Sequence, residues 1–170
     1  YPVVTPLAVD SGHPFPFLAN NTINAIVRIF QVQPDGTKDY KIAILPIPSV
    51  LDRIIEVPSS SNKVHRFVYL EDVISYYAIQ FFQGYGIEES MIFRLTRDAD
   101  LEIDEEDAKD LLTEVEASLR RRRRGDAVRL EVVGAGSPEL LRTVLASVEL
   151  EEKDVYHIDG HLDCRMYFDF

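Results

Sequence analysis

AVRLEVVGAGSPELLRTVLASVEL, residues 127 to 150, reads as a strand, a turn and a helix in succession. Val128, Leu130 and Val132 alternate with Arg129 and Glu131, the period-two pattern of a strand with one apolar face. GAGS at 134 to 137 is a turn leading into a helix: Ser137 stands at the N-cap and Pro138 at the first helical position, where its missing N–H has no consequence. Leu140, Leu141, Val144, Leu145 and Val148 then recur at helical spacing and are expected to face inward. VYHI, residues 155 to 158, is read as a last short strand.

Upstream, residues 104 to about 123 carry Ala108, Leu111, Leu112, Val115 and Leu119 as one helical stripe. Before that, MIFRLTRDAD (91 to 100) reads as a strand, with Met91, Phe93 and Leu95 opposed to Ile92, Arg94 and Thr96. EDVISYYAIQFF (71 to 82) predicts a helix with Val73, Ile74, Tyr77, Ala78, Phe81 and Phe82 at helical spacing, ended near Gly84 and Gly86. The first half holds strands: INAIVRIFQV (23 to 32) and YKIAILPIP (40 to 48) around a PDG turn form a hairpin, and RIIEV (53 to 57) with RFVYL (66 to 70) a second pair. Strands first, then strand and helix alternating, predict an α+β fold: a mixed, largely antiparallel sheet with about three helices packed mainly on one face.

Residues 1 to 22 differ from the rest. Pro2, Pro6, Pro14 and Pro16 forbid a helix, so this stretch is expected to be an extended entry arm whose apolar side chains lie on the domain or a neighbour, with residues 23 to 170 as one domain. Both ends of the chain read as cuts from a longer polypeptide. At 170 residues and 46% hydrophobic, the chain can bury a core without staples. The single cysteine, Cys164, excludes an internal disulfide and points to a reducing compartment. No apolar run approaches the roughly twenty residues of a membrane span.

A net charge of −11 argues against a general nucleic-acid binder, whose surface must neutralise phosphates. The charge is unevenly placed: residues 98 to 110 are strongly acidic, whereas Arg120, Arg121, Arg122, Arg123 and Arg124 form a basic block. That block has two readings: a helix end whose cations oppose the macrodipole, or a polyanion contact in which guanidinium forks engage phosphate oxygens. Arg94 and Arg97, at the end of a strand, are further candidates; the simpler alternative pairs Arg97 with Asp98 or Asp100. His13, His65, His157 and His161 form no metal-binding spacing, and no metal site is expected. Phosphate-binding glycine loops and a nucleophile elbow are absent from the sequence.

Several stretches carry a resemblance beyond composition. PVVTPLAVDSGHPFPFL (2 to 18), PSVLDRIIEVP (48 to 58), RFVYLEDVI (66 to 74), FRLTRDADLEIDEEDA (93 to 108), LRRRRRGDAVRLEV (119 to 132) and VYHIDG (155 to 160) appear in order. Together they resemble the middle, or head, domain of the histidine-phosphorylating polyphosphate kinases. SG at 11 and 12, NNTINAIV at 21 to 28 and HLDCRMYFDF at 161 to 170 depart from the usual family wording.

The resemblance implies a fragment of an enzyme that reversibly moves the terminal phosphate of ATP onto polyphosphate through a phosphohistidine lying outside these residues. It implies Mg2+ and ATP as ligands of the parent and no catalytic residue in this fragment, which alone is expected to be inactive. As partners it implies the remaining domains of the parent chain, a homo-oligomer and polyphosphate. The compartment implied is cytoplasmic, peripheral to a membrane at most. On this reading Arg94, Arg97 and Arg120 to Arg124 supply the basic part of a wall along the nucleotide and polyphosphate path, and the domain serves subunit contacts. The competing expectation is a stand-alone module that binds a polyanion or a protein without chemistry.

Overall fold

The computed structural model describes residues 3–58, 64–98 and 125–169. Eight strands and two α-helices are found among them. The strands are β1 (Leu7–Val9), β2 (Ile23–Val32), β3 (Lys38–Pro46), β4 (Ile54–Val57), β5 (Arg66–Tyr69), β6 (Gly86–Arg97), β7 (Ala127–Val133) and β8 (Val155–Ile158). The helices are α1 (Leu70–Tyr76) and α2 (Pro138–Val148). The helix expected over residues 104 to 123 lies outside the described residues.

Six strands form one sheet in the order β1-β3-β2-β6-β7-β8, and β4 pairs with β5 in a separate two-stranded sheet. All pairings are antiparallel except β7 with β8, which α2 connects as a βαβ unit. The mixed, largely antiparallel α+β class is thus present.

The helices do not share a face. Ile26, Ile44, Met91, Phe93, Leu95, Leu130 and Val132 form one core with Leu140, Val144 and Leu145 of α2. Ala25, Val27, Ile29, Ala43 and Leu45 form another with Leu70 and Ile74 of α1 and with Ala78. Since alternate residues of a strand point to opposite faces, α1 and α2 cover opposite sides of one sheet. Among the described residues the two helices thus depart from the expectation of helices mainly on one face. The physical reason lies in β2, where residues 23 to 27 are buried without a break. A strand apolar on both sides needs cover on both.

Local chemistry accounts for each element's limits. The Ser137 hydroxyl accepts the Leu140 N–H at 3.2 Å and donates to Glu89 at 2.5 Å, so one side chain caps α2 and ties it to β6. Glu139 in the first turn of α2 receives Arg28 Nη1 at 2.5 Å. The helix ends at Glu149, whose left-handed backbone (φ 58°) closes it. The single helix expected over 71 to 82 is two pieces: α1 stops at Tyr76, and a 3₁₀ turn spans Ala78–Phe81. The tighter turn aligns residues three apart, and Ala78 and Phe81 both pack on the sheet while Tyr77 stays exposed. Val128, expected inside, is also exposed.

The N-terminal stretch contributes structure of its own. Leu7, Ala8 and Val9 pair with Ile44, Ala43 and Ile42 of β3, making β1 an edge strand. Leu7, Val9 and Phe15 pack against the α2-side core, and Leu18 is part of it. No described helix is long and apolar enough to cross a membrane.

Candidate functional site

Arg94 sits on β6 opposite Glu131 of β7, on the face covered by α1. Its Nε donates to Glu131 Oε2 at 2.5 Å, and its Nη1 lies 3.3 Å from Asp163 Oδ2. Arg129 Nη2 donates to the other Glu131 oxygen at 3.0 Å, and its guanidinium rests 4.2 Å from the Tyr156 ring centroid. Arg165 grips Asp163 with two bonds of 2.6 Å. The result is an alternating row, Arg129–Glu131–Arg94–Asp163–Arg165, three guanidiniums around two carboxylates.

A second pair joins it. Arg53 Nη1 donates to the Asp163 carbonyl at 2.7 Å, while its Nε lies 3.0 Å from both oxygens of Glu71 and its Nη2 also donates to Glu71 Oε1. Glu71 is 2% exposed at its side chain, so Arg53 is what makes burial of that charge tolerable. The His161 ring stacks on Tyr69 at 3.4 Å between centroids and faces Glu71 and Asp72 at 3.7 and 3.9 Å. The Tyr69 and Tyr167 hydroxyls are hydrogen-bonded to each other.

These contacts set the charge states. The Arg165 fork, aided by the positive charge of Arg94, holds the Asp163 carboxyl down at about 2, against the opposing effect of burial. Arg94 is pushed up, first by its hydrogen bond to Glu131. Asp163 is therefore ionised throughout the neutral range and serves as an anchor, not a proton donor.

Arg97 is used differently. Its Nε donates to the Leu18 carbonyl at 2.9 Å and its Nη1 to the Gly125 carbonyl at 2.8 Å, and the Phe17 ring lies below it at 4.5 Å. Burial pushes its pKa down. Arg94 and Arg97, neighbours in sequence, thus serve separate contacts: Arg94 ties the C-terminal segment to the sheet, and Arg97 ties the segment before β2 to the start of β7. Arg120, Arg121, Arg122, Arg123 and Arg124 lie outside the described residues. The histidines are dispersed: His13 pairs with Asp10, His65 with Glu56, and His157 meets the Gly134 carbonyl at 2.9 Å. Among the described residues, no three His, Cys, Asp or Glu side chains converge where a metal ion could be held.

Glu71, Arg129, Glu131, Asp163 and Arg165 were not among the residues expected at a site. Two signals were available. Arg129 and Glu131 stand two apart on a strand, hence on one face, and a charged pair on an otherwise buried strand needs partners. Asp163 and Arg165 repeat that spacing.

The chain matches the family model described as the polyphosphate kinase middle domain over residues 1–170. It is 43% identical to a polyphosphate kinase of Halalkalibacterium halodurans over 99% of this chain and 24% of that protein. It is 41% identical to one of Bacillus cereus over the same shares. The crystal structure of polyphosphate kinase from Porphyromonas gingivalis shares the fold, with a TM-score of 0.70 over 95% of this chain and 22% of that one at 21% identity. The chain therefore spans about a quarter of the length of the curated relatives it matches. It belongs to the polyphosphate kinase middle-domain family.

Proposed function

We propose that this chain is a non-catalytic domain of a kinase that reversibly transfers the terminal phosphate of ATP to polyphosphate through a phosphohistidine outside residues 1 to 170. The observation that carries this reading is the match of the whole chain to proteins named polyphosphate kinase. The geometry agrees with it: the charged residues of the described site are spent on one another and on holding chain segments together. In the parent, Mg2+ and ATP would neutralise and supply the moving phosphoryl group. No three potential metal ligands converge among the described residues.

Within the parent, the domain contributes to subunit contacts in a cytoplasmic homo-oligomer and to the wall of the nucleotide and polyphosphate path. Arg94 and Arg97 form the fixed part of the basic region. The run Arg120 to Arg124 supplies the phosphate contacts, since the forks of Arg94 and Arg97 already have partners.

The test gives the parent and this chain Mg2+ and ATP labelled at the terminal phosphate, then counts acid-insoluble polymer and acid-labile phosphoprotein. Label in the parent alone is the expected result. No label in a folded parent would overturn the reading and leave a binding module. Reversing the charge of Arg120 to Arg124 in the parent should weaken activity and flatten its salt dependence; an unchanged profile would make that run structural.

A further inference from the structure

We propose that Arg97 and Gly125 are positioning residues for polyanion binding: together they fix the point from which the basic run Arg120 to Arg124 is presented. This rests on the reading that the run supplies the phosphate contacts.

Three chain segments meet in a collar at the end of β6. The Arg97 guanidinium donates through Nε to the Leu18 carbonyl at 2.9 Å and through Nη1 to the Gly125 carbonyl at 2.8 Å, and the Arg97 main-chain N–H donates to Asn20 Oδ1 at 2.9 Å. The Phe17 ring lies 4.5 Å from the guanidinium, and Leu18 is buried in the α2-side core. One residue further along, the Asp98 N–H donates to the Asp126 carbonyl at 2.8 Å. The two stretches approach so closely that a Cβ on Gly125 would overlap the Asp98 carbonyl oxygen, a main-chain atom that no rotamer change moves aside. The backbone of Gly125 is not left-handed, so space alone requires the glycine.

Closing the chain does not need all of this. The Asp98–Asp126 bond already joins β6 to the approach of β7, so the Arg97 fork is a second tie, placed on the residue bonded to Arg124. A planar guanidinium holds its acceptors in a fixed relation, and the Leu18 acceptor is anchored in the core. The Gly125 carbonyl is thereby fixed relative to the sheet. Five residues reach at most about 18 Å from that point, which limits where the five guanidiniums can meet an anion. A basic run fixed at one end loses less ordering entropy on binding than a free one, and its forks engage several phosphates together.

The test uses the parent kinase and labelled linear polyphosphate, with retention on filters measured over a salt series and acid-labile label from ATP as the sign that each variant is folded. Gly125→Ala forces the collar apart and removes no charge; Arg97→Lys keeps the charge and loses the fork that spans two carbonyls. Both should bind polyphosphate at least roughly fivefold more weakly. Both should also show a shallower dependence of affinity on salt, because fewer phosphates are engaged together; a role confined to stability would not move that slope. Native affinity and slope in both variants, beside a loss on charge reversal of Arg120 to Arg124, would overturn the positioning role and leave the phosphate contacts standing. Native behaviour of Arg97→Lys alone would show that Arg97 supplies charge and not a fork, and would equally overturn it. If charge reversal of the run itself changes nothing, the reading beneath the proposal fails and takes the proposal with it. Loss of the ATP label in both variants would make the collar a requirement for folding and overturn the positioning role.

Discussion

Asp163 joins three parts of the chain: β6 through Arg94, the loop before β4 through Arg53, and its own turn through Arg165. Its folded pKa of about 2 lies below the ordinary carboxylate value, so its ion pairs add stability above the unfolded pKa and lose it as pH falls. A depression of this size corresponds to about 2 kcal/mol at neutral pH. Asp163→Asn should therefore lower stability by about that amount at pH 7, the gap to the native chain closing between about pH 5 and pH 2. Urea unfolding of both proteins across that range checks it, and a gap independent of pH would mean that the carboxylate charge is not the stabilising element. The backbone of Asp163 is left-handed (φ 53°), a conformation Asn also accepts, so the substitution adds no backbone strain and removes the charge together with one acceptor of the Arg165 fork. The arginine of this pair was legible in the sequence, but its partners were not. Short-range pairing suggested Asp98 or Asp100 for Arg97, and Asp100 lies outside the described residues; the sheet brings Glu131 and Asp163 to Arg94, and Arg97 donates to the Leu18 and Gly125 carbonyls.

At the scale of the element, α2 shows a helix specified almost wholly by local sequence. Its cap, its first-position proline and its apolar stripe all agree, and Ser137, Pro138 and Leu140 stand where the pattern put them. Ser137→Ala should destabilise the chain by about 1–2 kcal/mol, because it removes the acceptor of the Leu140 N–H and the hydroxyl that donates to Glu89. Denaturant titration reads this out, and Ser137→Asp separates the two roles. Aspartate keeps the cap and sets a second carboxylate against Glu89; full recovery by Asp would show that the Glu89 contact adds nothing. α1 was less legible. Apolar spacing continued through Tyr77 to Phe82, but periodicity alone does not distinguish an α-helix from an α-turn tightened into 3₁₀ when aromatic side chains crowd the end.

For the whole molecule, the decisive feature is a sheet covered on both sides and guarded at one edge by β1. The run of residues 23 to 27, apolar but for Asn24 and buried throughout, marks a doubly covered strand, and reading it only as one half of a hairpin placed the described helices together instead of opposite. The same two-sided cover gives the N-terminal stretch its task. β1 occupies the edge of β3 at Ile42 to Ile44, and Leu7 and Val9 close the margin of the α2-side core. An uncovered β3 would present unpaired main-chain groups beside apolar side chains, a template for pairing with another chain. Leu7→Asp with Val9→Asp should therefore act twice. It should lower stability by about 2 kcal/mol or more, from two partly buried apolar side chains lost, and it should release the edge. Sedimentation over a concentration series should then show association beyond that of the native chain, and Ile42→Lys, on the uncovered strand, should suppress the excess without restoring stability. Loss of stability without association would show that β1 closes the core but does not guard the edge. No loss of either would mean that residues 7 to 9 rest on the sheet without supporting it.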